Sequence, residues 1–168
     1  MRRNFIGIED GEHATSHCAP RLMQVIAGEQ GGISEAENWK GGGGFRFYRL
    51  GPTLFENDAT GRRISDKVRF QHLAAHVWFR ETGIPWEGRK RSPLLGVHKG
   101  RAIYLLFNGI LGDKSANGGN VLTGRLLADL PAHDGPKLVF GEACRLGEAR
   151  LAREGVEFRQ IPYDVAGA

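Results

Sequence analysis

The chain opens on a short apolar run that is typical of a β-strand. This run, residues 2–9, ends in the carboxylate of Glu9, and Asp10 can cap a short helical stretch that follows at once. A longer helix is predicted over residues 20–27, because Pro20 suits a first helical turn and Gly28 suits a helix end. The pattern therefore predicts a strand and then helices at the start of the chain.

Four consecutive glycines at positions 41–44 lead into a second predicted strand. Phe45 and Phe47 fall on one face of that strand, with Arg46 and Tyr48 on the other. Dense glycine frees φ and exposes N–H groups that can cradle an anion, whereas the plainer interpretation is a flexible linker that enters a strand. No Lys-Ser or Lys-Thr pair follows the glycines, so the pattern does not favour a P-loop.

The remainder of the chain has the alternation of helices and strands that is typical of an α/β domain. Residues 51–63 are predicted to be a turn-rich connection, and Ser65 is predicted to cap a helix that ends near Gly83. The further predicted elements are a hairpin of residues 94–98 and 101–107, a helix at 121–130, a strand at 137–140, a helix at 147–154 and a strand at 156–161. The last three predict a parallel pair of strands with a helical crossover.

Composition and charge fit a globular chain with a mild basic bias. Of 168 residues, 40% are hydrophobic and 25% charged, and the net charge is +4. No apolar run is long enough to span a membrane and no signal sequence precedes the first strand, so the expected location is the cytoplasm. Cys18 and Cys144 form no CxxC pair and are predicted to be free, buried thiols.

Two groups of residues are candidates for binding. Glu9 follows a strand, where an acid in a doubly wound sheet accepts hydrogen bonds from ribose hydroxyls. That arrangement needs a glycine-rich turn about 20 residues upstream, and too few residues precede Glu9 to supply it. Arg89, Lys90 and Arg91 form the densest basic cluster and are the candidate contact with nucleic acid, with a solvated loop as the alternative.

The sequence predicts no metal site. The pairs His13/His17 and His72/His76 have the spacing of ligands on one helix face, but neither carries the intervening Glu of a zincin motif. Acids at strand ends, which include Asp113, Glu142 and Glu157, suit Mg²⁺ in a nuclease, yet the full pattern of two acids and a lysine is not assembled. Solvated or capping histidines are therefore the favoured interpretation.

Several segments, taken in order, resemble the C-terminal part of site-specific DNA adenine-N6 methyltransferases, above all the modification subunits of type III restriction systems. The segments are residues 3–9, 20–28 and 42–51, and then 138–143, 145–147 and 155–164. The resemblance covers nearly the whole chain. It implies an α/β fold in which residues 1–55 are the last strands and helix of a partial Rossmann-like methyltransferase sheet, and residues 64–168 a small α/β C-terminal domain.

The resemblance also implies roles and partners. Glu9 would hydrogen-bond the ribose of S-adenosylmethionine in the complete enzyme, and the C-terminal domain would serve subunit contacts or DNA engagement. The implied partners are DNA and an N-terminal methyltransferase half or a restriction subunit, and a second copy of the chain is a further candidate. The first strand would lack its neighbours, so we expect it to have an open edge and an uncovered apolar face. We also expect the first ~60 residues to be less stable than the part from about residue 64 onward.

The chain departs from the family at its two main motifs. Asp-Pro-Pro-Tyr, which holds the flipped adenine, is absent, and Phe-x-Gly-x-Gly-Thr, which holds the cofactor, is absent as well. We therefore expect no catalytic residue, no methylation by the chain alone and no binding of S-adenosylmethionine to it, as for a truncated or split gene product. Two alternatives stay open: a non-catalytic module that completes or dimerises a separate methyltransferase half, and a Mg²⁺ nuclease or nucleic-acid-binding domain.

Overall fold

The computed structural model describes residues 4–59, 61–88, 91–107 and 119–164. The chain divides into two units, residues 1–50 and 51–168. The second unit combines parallel and antiparallel strands with helices, so the predicted α/β fold class is confirmed. Within the described ranges, no helix is long and apolar enough to cross a membrane.

The first unit is helical. A π-helical turn, Ala14–Cys18, runs directly into helix α1, Ala19–Ile26, and a short helix α2 spans Ile33–Ala36. Pro20 lies in the first turn of α1, and Gly28 follows the helix with φ +85°. The helix predicted over residues 20–27 is therefore confirmed.

The two strands predicted in this unit are wrong for the chain as it stands. Residues 4–9 and 45–50 form no β-strand, and neither does any other described residue before Gly51. A strand requires a neighbour that pairs with its N–H and C=O groups, and no described segment of the first unit lies alongside to do so. The described residues of this unit therefore form no sheet, and the assignment of residues 1–55 to a Rossmann-like methyltransferase domain stays a prediction.

The glycine run crosses the C-terminal end of α1. Gly42 donates its N–H to the carbonyl of Ile26 at 2.8 Å, and Trp39 donates its indole N–H to the carbonyl of Val25 at 2.7 Å. A Cβ built on Gly41, which has φ +89°, would lie 2.6 Å from the Ile26 oxygen. Glycine is thus required at position 41 because two backbone segments approach closely there.

A short hairpin begins the second unit. Strand β1, Phe55–Asp58, pairs antiparallel with β2, Gly61–Ile64, where the sequence predicted only a turn-rich connection. Ser65 does not cap a helix; it is buried and its N–H donates to the carbonyl of Leu54. Helix α3, Phe70–Thr82, starts later than predicted and ends as predicted at Gly83, which adopts the left-handed conformation.

The main sheet has four strands in the order β3-β4-β6-β8. These strands are β3, Leu94–His98; β4, Arg101–Leu105; β6, Lys137–Gly141; and β8, Val156–Gln160. The pair β3–β4 is the predicted hairpin, closed by Lys99 and Gly100, which both have positive φ as a type I′ turn requires. The pairs β4–β6 and β6–β8 are parallel, which confirms the predicted parallel pair.

Both faces of this sheet are covered. Phe70, Leu73 and Val77 of α3 pack on one face, against Leu105 and residues of β6. The opposite face packs on α4, Gly124–Asp129, and on α5, Glu148–Arg153, through leucines of both helices. Side chains of β4 therefore alternate between two apolar cores, which explains why residues 102–105 of this strand are a continuous apolar run.

The helix predicted over residues 121–130 begins later than expected. Val121 and Leu122 form strand β5, which pairs parallel with β7, Ala143–Cys144. Thr123 follows in extended conformation, and its side-chain oxygen accepts the N–H of Leu126 at 3.2 Å, which starts α4. The tertiary pairing of β5 with β7 overrides the helical pattern of the sequence at these two positions.

Candidate functional site

Glu9 lies in the first unit, just before the helical segment. Its side chain is exposed, and its Oε1 accepts the N–H of Gly11 at 3.0 Å. The carboxylate is therefore a hydrogen-bond acceptor held close to the backbone at the entrance of the π-helical turn. Its predicted contact with a ribose stays a prediction.

Apolar side chains around Glu9 lack cover within their own unit. Phe5, Ile6 and Ile8 are 69%, 93% and 92% exposed, and Leu50 at the end of the unit is fully exposed. Scattered exposed leucines are ordinary in proteins, but several large apolar residues in one short exposed segment mark a surface for association.

The predicted basic cluster is described in part. Arg89 and Lys90 lie outside the described residues. Arg91 is exposed and precedes β3, and it is engaged with another group of the chain. Contact of this cluster with nucleic acid stays a prediction.

The histidine pairs have structural partners. The rings of His13 and His17 lie 5.2 Å apart, and His17 Nδ1 lies 2.8 Å from the hydroxyl of Ser16. His72 Nδ1 accepts the N–H of Arg69 and so caps α3, while His76 meets the ring of Phe55 edge-on. No group of three or more His, Cys, Asp or Glu residues in the described ranges is placed to hold a metal ion.

The two cysteines are free, and one of them departs from the prediction. Cys144 is half-buried, and its sulfur lies 3.4 Å from the N–H of Leu146. Cys18 is exposed, so the prediction that it is buried is wrong. The reason is that the last turn of the π-helical segment has no buried residue, because no sheet forms in the first unit to cover it.

A cleft of ≈ 440 Å³ lies in the second unit, at the carboxyl ends of the parallel strands. Phe107 follows β4, Glu142 follows β6, and Ile161 follows β8. The β1–β2 hairpin supplies a further wall through Arg62 and residues that follow it. Ligands of open α/β sheets bind outside the carboxyl ends of strands, so this is the structurally favoured position for a site.

One arginine of the hairpin is fully engaged. Arg63 contacts Glu56 at 2.7 Å, Asp66 at 3.2 Å and Asp58 at 3.3 Å. The hydrogen bond and charge of Asp66, with the charges of Glu56 and Asp58, raise the pKa of Arg63. These carboxylates hold its guanidinium in place, and its neighbour Arg62 has no ion pair in the part of the chain that the structure describes.

The wall that follows β6 is fixed by a small polar network. Asn120 donates its side-chain N–H to Glu142 Oε1 at 2.8 Å, and the Glu142 N–H donates to the Asn120 carbonyl at 2.8 Å. Gln160 donates its side-chain N–H to the Glu142 carbonyl at 2.9 Å. Sequence patterns indicated Glu142 as a strand-end acid but gave no signal for Arg62 or Asn120. Asp113, its predicted companion, lies outside the described residues.

Comparison with known proteins yields one short match of high identity. The chain is 50% identical over 52 residues to the Haemophilus influenzae protein named "Probable type III restriction-modification enzyme HindVI Mod subunit". The match covers 31% of this chain and only 7% of that protein. No protein-family model and no solved structure matches the chain. The resemblance to type III modification subunits is thereby confirmed for part of the chain.

Proposed function

We propose that the chain acts as the C-terminal segment of an S-adenosylmethionine-dependent DNA adenine-N6 methyltransferase of a restriction-modification system. The 50% identity over 52 residues to a type III Mod subunit carries this proposal. The motifs Asp-Pro-Pro-Tyr and Phe-x-Gly-x-Gly-Thr do not occur in the sequence. The residues that bind the adenine, and most of those that bind the cofactor, therefore belong to another stretch of polypeptide.

The first unit has the surface that such a partner requires. Residues 4–8 are mostly apolar and exposed, and they form no helix or strand. An added strand gains main-chain hydrogen bonds along a sheet edge, and its alternate apolar side chains become buried. In the proposed complex, residues 4–8 and 45–50 become strands of the methyltransferase sheet once that polypeptide lies beside them.

Glu9 has the chemistry of a ribose ligand. An exposed carboxylate accepts the O–H donors of vicinal hydroxyls, and the Gly11 N–H at 3.0 Å orients one of its oxygens. S-adenosylmethionine supplies the methyl group when it is bound. Glu9 orients the cofactor by its ribose and takes no part in moving the methyl group.

In the test, this chain is co-expressed with the polypeptide of the same genome that carries the Asp-Pro-Pro-Tyr and Phe-x-Gly-x-Gly-Thr motifs. If one reading frame encodes both parts, they are expressed as a single polypeptide. Calorimetry with S-adenosylmethionine then compares the isolated chain, the partner and the complex. We expect no binding by the isolated chain, binding by the complex, and a loss of about tenfold in affinity for Glu9→Gln in the complex. Tight binding by the isolated chain would overturn the proposal.

Glu12→Gln is the matched control. Glu12 lies in the same exposed segment, and its backbone carbonyl accepts the hydroxyls of Thr15 and Ser16. An equal loss for the two variants would remove Glu9 from the cofactor site. A partner that binds S-adenosylmethionine and methylates DNA equally well without this chain would instead make the chain a non-catalytic interaction module.

A further inference from the structure

The cleft at the carboxyl ends of β4, β6 and β8 has the size and position of a small-ligand site. Its volume of ≈ 440 Å³ lies within the range of about 300–1,000 Å³ that small-molecule sites occupy. It belongs wholly to the second unit, so it is separate from the cofactor role proposed for Glu9 in the first.

Strand geometry separates the two arginines on its hairpin wall. Phe55 pairs with Ile64, and both pack against the core beneath the hairpin. Alternate residues of a strand share a face, so Arg62 lies on the same face as Ile64 and Arg63 on the opposite face. Both arginines line the cleft, and so does Asp66. Arg63 is paired there with carboxylates, whereas Arg62 makes no ion pair among the described residues.

The other walls offer a different chemistry. Glu142 presents a carboxylate whose position is fixed by Asn120 and by its own backbone hydrogen bonds. Phe107 is half-buried and adds an aromatic surface to the same cleft. The Glu142 carboxylate can accept hydrogen bonds from the N–H edge of a base, and the Phe107 ring can stack on the face of that base. The guanidinium of Arg62 can bind a phosphate.

We propose that this cleft binds a nucleoside phosphate, with the phosphate on Arg62, an N–H edge of the base on Glu142 and the base against Phe107. A bare inorganic anion is disfavoured, because the Asp66 and Glu142 carboxylates repel it and the second arginine of the cleft, Arg63, is already paired with Asp66. A nucleotide meets the same repulsion but gains contacts of its base with Phe107 and Glu142. A neutral nucleoside would leave the Arg62 charge unused. The ligand is either a free nucleotide or a nucleotide unit within a single strand, which share this chemistry.

The experiment titrates the full chain with the four nucleoside monophosphates, their nucleosides, inorganic phosphate and a short single-stranded oligonucleotide, followed by NMR shifts of residues that line the cleft. We expect a nucleotide or the oligonucleotide to bind. Arg62→Ala should weaken that binding about tenfold or more and leave nucleoside binding unchanged, and Glu142→Gln should weaken both. A response to mononucleotides assigns the free nucleotide, and a response to the oligonucleotide alone assigns the strand.

Arg125→Ala is the matched control, because Arg125 is also an exposed arginine, lies on α4 and lines no part of the cleft. Arg62→Lys should retain most of the affinity, since it keeps the charge. Equal losses for Arg62→Ala and Arg125→Ala would overturn the proposal, as would phosphate binding as tight as nucleotide binding, or no binding of any probe at millimolar concentration. Circular dichroism of each variant separates these results from unfolding.

Discussion

The crossing of the glycine run over α1 predicts that two chemically identical substitutions have different costs. Gly41 and Gly43 have almost the same positive φ, +89° and +85°. A Cβ on Gly41 would lie 2.6 Å from the Ile26 oxygen and 2.9 Å from the Gly28 nitrogen, whereas a Cβ on Gly43 meets no described atom within 4 Å. Comparing Gly41→Ala with Gly43→Ala therefore separates the cost of the steric clash from the cost of a positive φ in alanine.

The magnitude follows from three contributions. A left-handed conformation costs an alanine about 1–2 kcal/mol, and this cost applies to both variants. At position 41 the backbone must also shift, at about 1–3 kcal/mol, and the Gly42–Ile26 hydrogen bond is lost, at about 1 kcal/mol. We therefore expect Gly41→Ala to destabilise the crossing by about 2–4 kcal/mol more than Gly43→Ala does.

Amide hydrogen exchange measures this difference where it arises. The Gly42 amide and the Trp39 indole N–H both donate to carbonyls at the end of α1, and the indole proton is easily identified in NMR spectra. The expected difference corresponds to exchange that is about 30- to 1,000-fold faster in Gly41→Ala than in Gly43→Ala. Equal exchange rates in the two variants would refute the close approach as the reason for glycine at position 41.

Three further predictions concern the second unit. Burial raises the pKa of Tyr104 above 10.0, so the Tyr104 hydroxyl contributes fully to stability below pH 10, and this contribution is lost as the pH rises through the folded-state pKa. Tyr104→Phe should abolish this loss of stability at alkaline pH, as measured by urea unfolding. An unchanged loss would assign the titration to another group. Leu138→Ala should lower the free energy of unfolding by about 2–5 kcal/mol, because Leu138 is fully buried, and a cost below about 1 kcal/mol would contradict its core position. Thr123→Ala should cost about 1 kcal/mol through loss of the α4 cap, with Thr123→Ser restoring stability.

The elements that the sequence predicts well are those with local signals. The hairpin of β3 and β4 has Lys99-Gly100 between two apolar runs, and α1 has Pro20 at its start and Gly28 beyond its end. These signals act within a few residues, so they do not depend on distant parts of the chain. The β1–β2 hairpin was missed because its strands are short and mostly polar, which is the composition of a loop.

The errors in the first unit have a different physical origin. Residues 4–9 have the pattern of a strand, but a pattern cannot supply the neighbouring strand whose hydrogen bonds would make it one. Whether residues 4–9 form a strand therefore depends on whether a second strand pairs with them.

The cleft of the second unit could not be predicted from spacing. Arg62, Asn120 and Glu142 come from separate stretches: Arg62 belongs to the β1–β2 hairpin, Asn120 precedes β5 and Glu142 follows β6. Only the tertiary structure brings these stretches together. Glu142 alone was identifiable, since a carboxylate directly after a buried strand is a local signal.

The mixed pairing of the main sheet sets an order in which the second unit assembles. β3 and β4 are joined by two residues whose backbone conformation matches the twist of a hairpin, so little loop-closure entropy opposes their pairing. β6 reaches β4 only after β5 and α4 have intervened, and β8 joins β6 after α5. Because non-local pairing is the slow step in two-state folding, we expect β3 and β4 to pair first and β6 and β8 to join the sheet afterwards.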